Sequence, residues 1–178
     1  MSGSARAQVT LVLGGARSGK SAYAEELVSA SGLERVYIAT GRAFDTEMEQ
    51  RIALHRQRRE SLWTTVEEPF DLAGVIGREV SRSRCLLVDC LTLWVTNLML
   101  EGKAVEKEVD RLAETLAQVT GPVVVVSNEV GLGIVPDNAM AREFRDLAGH
   151  ANQRVARIAQ RAIFVAAGLP LVLKGPKE

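Results

Sequence analysis

Cysteines and aromatic residues are scarce in this chain of 178 residues. Aromatic residues make up 4% of it, and the only cysteines are Cys85 and Cys90. The two cysteines flank the apolar run LLVD, which is typical of a strand, and they would lie about 16 Å apart along it. That separation is too long for a disulfide. We therefore expect two buried free thiols, as in a cytoplasmic protein.

The sequence also lacks a long hydrophobic run and an excess of charge of one sign. Its longest nearly apolar run, residues 162–173, contains a glycine and a proline and falls short of the about 20 residues that a membrane helix needs. Residues 1–8 lack the apolar core of a signal peptide and are expected to form a disordered lead-in. The 22 basic residues balance 22 acidic ones. This balance argues against a nucleic acid or an anionic membrane as the partner.

Short apolar runs alternate with helical patterns along the chain. The patterns predict strands over residues 9–13, 35–40, 63–69, 85–90, 123–131, 162–168 and 169–173, and helices over 21–30, 45–60, 71–80, 104–119 and 141–160. Continuous apolar strands indicate a sheet that is covered on both faces. The alternation predicts an α/β fold with a mainly parallel sheet, helices on both faces and right-handed crossovers. We expect one domain over residues 9–174.

Four of the predicted strands end in unusual polar or glycine-rich residues. The segments that follow them read GGARSGKS, TGRAFD, DCLT and SNEVGLG. Ligands of open α/β sheets bind beyond the carboxyl ends of the strands. The four segments should therefore line one crevice.

The first of these segments matches the phosphate-loop pattern G-x-x-x-x-G-K-[ST] between a strand and a helix. Its members are Gly14, Gly15, Ala16, Arg17, Ser18, Gly19, Lys20 and Ser21. Backbone N–H groups of such a loop surround phosphate oxygens, with the partial positive charge of the helix N-terminus behind them. We expect Lys20 to reach the β- and γ-phosphates and the Ser21 hydroxyl to ligate Mg²⁺. The dinucleotide pattern G-x-G-x-x-G is absent, which argues against NAD.

Asp89, at the end of the strand that contains LLVD, is placed to be the second acidic partner of Mg²⁺, through water. The alternative is an aspartate that caps the next turn.

Helix 45–60 places a histidine among arginines. Arg51, His55, Arg58 and Arg59 form one side of it at helical spacing. A neutral imidazole can attack phosphorus and form a phosphoramidate, or it can act as a general base for an acceptor hydroxyl. A solvated basic face is the simpler alternative. The second histidine, His150, is expected to be a surface or packing residue of another helix.

Several of these segments together resemble a known family. The blocks GGARSGKS, YIATGRAFDTEMEQRIALHRQRR, LLVDCLTLWVTNL and SNEVGLGIVPDNAMAREFRDLAGHANQRVA are similar to those of the bifunctional adenosylcobinamide kinase / adenosylcobinamide-phosphate guanylyltransferases. The similarity runs from about residue 9 to residue 173. It implies a P-loop, RecA-like fold and a homotrimer with sites between subunits.

The resemblance also implies two reactions of cobalamin biosynthesis. In the first, ATP or GTP phosphorylates the aminopropanol hydroxyl of adenosylcobinamide. In the second, GTP donates GMP to adenosylcobinamide phosphate through a GMP–histidine intermediate, which gives adenosylcobinamide-GDP and pyrophosphate.

Site residues follow from the resemblance position by position. Lys20 and the rest of the phosphate loop contact the nucleotide phosphates, and His55 is the nucleophile. Further positions expected near the nucleotide or the metal are Thr40, Gly41, Arg42, Arg58, Arg59, Glu67 and Asp89. For Glu67, a solvent-exposed acid after a short strand is an equal alternative.

The chain departs from some relatives at two positions. Some relatives have two adjacent histidines where this chain has Leu54 and His55, so a GMP–histidine here must form on His55. Some have glutamate in place of Asp89, which keeps the charge and shifts the distance to the metal. Two other functions stay open at this point: a P-loop kinase of another small alcohol, and a non-catalytic nucleotide-binding switch module.

Overall fold

The computed structural model describes residues 9–42 and 62–176. The strands in this part are β1 (Val9–Gly14), β2 (Glu34–Ala39), β3 (Trp63–Glu67), β4 (Arg84–Asp89), β5 (Val123–Asn128), β6 (Arg161–Ala166) and β7 (Leu169–Lys174). The helices are α1 (Lys20–Ala30), α2 (Leu72–Glu79), α3 (Leu91–Leu100), α4 (Val105–Ala117) and α5 (Ala139–Ile158). The lead-in predicted over 1–8 and the helix predicted over 45–60 lie outside the described residues.

The strands form one seven-stranded sheet in the order β3-β2-β4-β5-β1-β6-β7. All neighbours are parallel except β6 and β7, which form an antiparallel pair. Gly14 at the end of β1 lies opposite Asn128 of β5, and Ala39 of β2 lies opposite Asp89 of β4. The four polar strand ends that the sequence singles out therefore lie along one edge of the sheet, as predicted.

Helices cover both faces of the sheet, which confirms the sequence-based prediction. Alternate residues of a strand point to opposite faces. In β4, Leu86 and Val88 belong to the apolar cluster under α2, α3, α4 and α5. Cys85 and Leu87 belong to the cluster under α1. Cys85 and Cys90 are both free and buried, as predicted.

Helix α3 is the one element of the described residues that the sequence patterns do not predict. Its sequence, LTLWVTNLML, is apolar almost throughout, and Leu91, Trp94, Val95 and Leu98 are fully buried. The Trp94 indole N–H donates a 2.8 Å hydrogen bond to the carbonyl oxygen of Phe70. A helix that is buried on most of its sides has no polar face, so it lacks the contrast that reveals an amphipathic helix.

The structure corrects the predicted ends of three strands by two or more residues. β3 ends at Glu67 rather than at residue 69, β5 at Asn128 rather than at residue 131, and β6 at Ala166 rather than at residue 168. After β5 the chain turns because the Glu129 carboxylate accepts hydrogen bonds from the backbone N–H groups of Gly131 and Leu132. Within the described residues, no helix is both long and apolar enough to cross a membrane.

Candidate nucleotide-binding site

The loop between β1 and α1 needs its glycines for close approach. A Cβ atom at Gly14 would lie 2.5 Å from the backbone oxygen of Val165. Gly19 has φ 94°, and a Cβ there would lie 3.1 Å from the Cα atom of Gly168, in the turn between β6 and β7. The Gly168 N–H also donates a 2.8 Å hydrogen bond to the Ser18 carbonyl. The β6–β7 turn thus packs against the loop and holds it by a hydrogen bond. The positive φ angle of Gly19 favours glycine at that position.

Lys20, the first residue of α1, places its ammonium group across this loop. Its side chain is buried, and Nζ donates a 3.0 Å hydrogen bond to the carbonyl oxygen of Gly15. The first turn of α1 contains no acidic residue. The amino end of this helix therefore presents positive charge alone, as an anion requires.

Two hydroxyl groups in the loop differ in their accessibility. The Ser18 Oγ atom is buried and has no hydrogen-bond partner among residues 9–42 and 62–176. It lies 2.5 Å from where a Gly14 Cβ would stand. Ser21, in the first turn of α1, is half-buried. In this conformation the Ser18 backbone N–H donates to the Gly15 carbonyl oxygen at 3.3 Å, whereas the Ser21 side chain is accessible.

Asp89 ends β4 with its carboxylate fixed at the edge of the sheet. Oδ2 accepts a 2.9 Å hydrogen bond from the hydroxyl of the buried Tyr37, on β2. The cap of the following helix is Cys90, whose side chain accepts from the Leu93 N–H. Asp89 therefore does not cap the next turn, and that interpretation of it is wrong.

Thr40 joins the ends of β2 and β4. Its buried hydroxyl donates to the Cys90 carbonyl oxygen at 2.7 Å and accepts from the Cys90 N–H at 2.8 Å. Its own carbonyl oxygen accepts a 2.7 Å hydrogen bond from the Asn97 amide. The hydroxyl group and the carbonyl oxygen of Thr40 thus both form hydrogen bonds within the protein. Its side chain supports the crevice from below, and Gly41 follows it at the rim.

Arg42 lies over the carboxyl end of α3. Its guanidinium forms a 2.7 Å ion pair with Glu101 and lies 5.2 Å from the centre of the Phe70 ring. A contact of Arg42 with the nucleotide stays a prediction, and it would compete with this ion pair.

Glu67 is exposed at the end of β3, the outermost strand on its side of the sheet. Glu67 lies opposite Ala39 of β2, and Ala39 lies opposite Asp89 of β4. The two acidic residues are therefore level with each other, on either side of β2. His55, Arg58 and Arg59 lie outside the described residues.

Thr92 is a buried residue of the site that the sequence did not identify. Its hydroxyl oxygen accepts hydrogen bonds from the Asn128 side-chain amide at 2.8 Å and from the Asn128 backbone N–H at 3.3 Å. It also lies 3.1 Å from the Cys90 Sγ atom.

Burial, and secondarily the charge of Asp89, raise the pKa of Cys90 to about 11. The thiol therefore stays protonated at neutral pH and serves as a structural partner rather than as a nucleophile.

We expect Thr92→Val to destabilise the protein by about 1–3 kcal/mol, because Asn128 loses the oxygen that accepts from its backbone N–H and its side-chain amide, and the amide keeps only the weak Cys90 Sγ acceptor at 3.8 Å. Thr92→Ser keeps the hydroxyl and should cost clearly less. Urea unfolding of the two variants and the wild type measures the difference. Equal losses in both variants would show that the methyl group, and not the hydrogen bonds, stabilises this position.

The strand order, the glycine loop between β1 and α1, and the aspartate at the end of β4 define a P-loop nucleotide-binding protein with a RecA-like sheet. The flagellar accessory protein FlaH from Methanocaldococcus jannaschii has this fold at 11% identity and a TM-score of 0.52, over 94% of this chain and 78% of that one. A structure of Project ID PH0250 from Pyrococcus horikoshii OT3 is similar at 11% identity and a TM-score of 0.55, over 96% and 88%.

Residues 10–173 match the cobinamide kinase / cobinamide phosphate guanyltransferase family, and the chain belongs to this family. The bifunctional adenosylcobalamin biosynthesis protein CobP of Pseudomonas aeruginosa is 50% identical over 167 residues, which cover 93% of this chain and 96% of that protein. The bifunctional adenosylcobalamin biosynthesis protein CobU of Escherichia coli K12 is 38% identical over 179 residues, which cover 92% and 98%. These matches confirm the resemblance seen in the sequence motifs.

Proposed function

We propose that this protein phosphorylates adenosylcobinamide and then transfers GMP to adenosylcobinamide phosphate. The observation that carries the proposal is the family match over residues 10–173, together with a complete phosphate loop in a conformation suited to an anion. The same match argues against the two alternatives, a kinase of another small alcohol and a non-catalytic switch module.

In the kinase step, the loop 14–21 and Lys20 bind the β- and γ-phosphates of ATP or GTP. The corrinoid hydroxyl attacks the γ-phosphorus and releases its proton to solvent, the bond to the β-phosphate oxygen breaks, and the nucleoside diphosphate leaves. The Lys20 ammonium stabilises the charge on the transferring group.

Ser21 and Asp89 fit Mg²⁺ in this step. A hydroxyl and a carboxylate supply the oxygen ligands that the ion prefers, and Tyr37 holds the Asp89 carboxylate in place. Mg²⁺ usually keeps waters and substrate phosphates among its ligands, so it needs few oxygen ligands from the protein. When bound, Mg²⁺ would neutralise charge on the phosphates.

In the transferase step, the neutral imidazole of His55 attacks the α-phosphorus of GTP and pyrophosphate leaves. The phosphate of adenosylcobinamide phosphate then attacks the same phosphorus, the N–P bond breaks, and adenosylcobinamide-GDP forms. We assign Arg58 and Arg59 to the phosphates of GTP, and Arg42, Gly41 and Glu67 to the rim of the site, as the family resemblance implies.

We further propose a homotrimer in the cytoplasm, acting on a corrinoid partner. The two buried free thiols of the protein support a reducing compartment. The family resemblance supports the trimer.

The test is turnover of adenosylcobinamide by the wild-type protein with Mg²⁺ and either ATP or GTP, with products identified by chromatography and mass spectrometry. We expect adenosylcobinamide phosphate, and with GTP also adenosylcobinamide-GDP and pyrophosphate. A reaction without corrinoid controls for simple hydrolysis. Nucleotide hydrolysis with no corrinoid product would contradict the proposal and favour a switch module.

A further inference from the structure

The segment that joins β5 to α5, residues 129–138, is fixed to the phosphate loop at its start. The Glu129 N–H donates a 3.0 Å hydrogen bond to the carbonyl oxygen of Gly14. The Glu129 carboxylate then accepts from the N–H groups of Gly131 and Leu132, at 2.9 and 3.1 Å. The first half of this β5–α5 loop therefore has a defined conformation beside the nucleotide site.

Its far end is fixed as well. The Asn138 side chain caps α5 by accepting a 2.7 Å hydrogen bond from the Ala141 N–H. The Arg142 guanidinium donates to the carbonyl oxygens of Pro136 and Asp137, at 2.8 and 2.7 Å. Hydrogen bonds thus set the path of the loop at both ends.

Between these two anchors the loop directs large apolar side chains into solvent. Leu132 is 82% exposed, Ile134 98% and Val135 61%, and Met140 in the first turn of α5 is 62% exposed. Several exposed apolar residues on one ordered segment are typical of a surface that binds a ligand or a partner. Met140 also lines an open groove whose other lining is partly apolar (Met99, Leu100, Leu147) and partly charged (Lys103, Glu106, Lys107, Glu143).

We propose that the β5–α5 loop is the binding surface for the body of the corrinoid substrate, an inference that rests on the function proposed above. The acceptor hydroxyl must come within about 3.5 Å of the γ-phosphorus, so the corrinoid must lie next to the phosphate loop. Its macrocycle is too large to follow the hydroxyl into the crevice and must rest on the adjoining surface. The loop begins at that place, hydrogen-bonded to Gly14.

The chemistry of the loop matches this occupant. The two faces of a corrin ring carry methyl groups, which aliphatic side chains can cover, and its rim carries carboxamides. Leu132, Ile134 and Val135 offer the aliphatic surface, in a chain whose aromatic content of 4% leaves few rings for stacking. Another apolar row, at Leu169, Leu171 and Leu173, lies on the edge strand β7. An edge strand is the better surface for another protein chain, which leaves the loop for the small molecule.

The experiment measures kinase kinetics of the double variant Leu132→Ser/Ile134→Ser, with adenosylcobinamide varied at saturating ATP and Mg²⁺. We expect KM for adenosylcobinamide to rise about tenfold or more, because each leucine or isoleucine side chain loses burial against the substrate. Both positions are exposed, so the fold should be unaffected. Values of kcat and of KM for ATP should stay within about twofold, since the phosphate loop is untouched. Leu62→Ser, which makes the same kind of change at an exposed leucine just before β3 and outside the proposed surface, is the matched control and should behave as the wild type.

Two results would overturn the inference. One is an unchanged KM for adenosylcobinamide in the double variant. The other is a raised KM accompanied by a lower molar mass in light scattering, which would assign the loop to a contact between copies of the chain. Failure of the proposed function would give a different result: the wild-type protein itself would not turn over adenosylcobinamide.

Discussion

Lys20→Met is expected to lower kcat of adenosylcobinamide phosphorylation by about 10²- to 10³-fold, the usual cost of losing one group that stabilises transition-state charge. Methionine keeps most of the length of the side chain and removes its charge. The Lys20 ammonium lies across the phosphate loop on the Gly15 carbonyl oxygen, where the β- and γ-phosphates are expected. The measurement is steady-state kinase turnover at saturating ATP, Mg²⁺ and adenosylcobinamide.

The matched control for this variant is Arg82→Met, which removes an exposed cation just before β4, at the amino edge of the sheet. It should retain wild-type turnover, which would exclude a general effect of charge. Thermal unfolding of both variants should stay close to that of the wild type. If Lys20→Met kept more than about a tenth of wild-type kcat while still folded, the assignment of Lys20 to the transferring phosphate would be wrong.

The phosphate loop and the parallel sheet could be predicted because their signals are local. The motif glycines Gly14 and Gly19 stand where a Cβ would meet close neighbours, and the apolar strands are covered on both faces by helices. Helix α3 could not be predicted in the same way. Because this helix is buried on most sides, it has no polar face, and its sequence shows no alternation of apolar and polar residues at helical spacing. The packing of Trp94 and its neighbours is what shows the segment to be helical.

The partners of the site residues could not be predicted, because they are far apart in sequence. Thr40 bonds to Cys90, which is 50 positions away, and Arg42 bonds to Glu101, which is 59 positions away. Both residues follow β2, in the segment TGRAFD that the sequence places at the crevice. The structure shows that the Thr40 side chain is already used inside the protein. A motif indicates which residues gather at a strand end, whereas only the fold shows which of them are accessible.

His55→Ala is expected to abolish formation of a covalent GMP adduct on the protein. In the proposed transferase step His55 is the only nucleophile, because the neighbouring position is Leu54 and the one other histidine is His150. Intact-protein mass spectrometry after incubation with GTP and Mg²⁺, without corrinoid, measures the adduct directly. The wild type should gain the mass of one GMP, and the variant should gain none.

His150→Ala is the matched control, since it removes the other histidine, a half-buried residue of α5, and should leave the adduct unchanged.

The kinase step gives a second, independent measurement. With ATP as donor, His55→Ala should still form adenosylcobinamide phosphate at about the wild-type rate, because the phosphate loop and Lys20 are intact, whereas Lys20→Met should not. An adduct on His55→Ala, or none on a folded wild type that binds GTP, would refute the covalent mechanism. If His55→Ala lost both adduct formation and adenosylcobinamide phosphorylation, the histidine would instead act in the kinase step as well, as a general base for the acceptor hydroxyl.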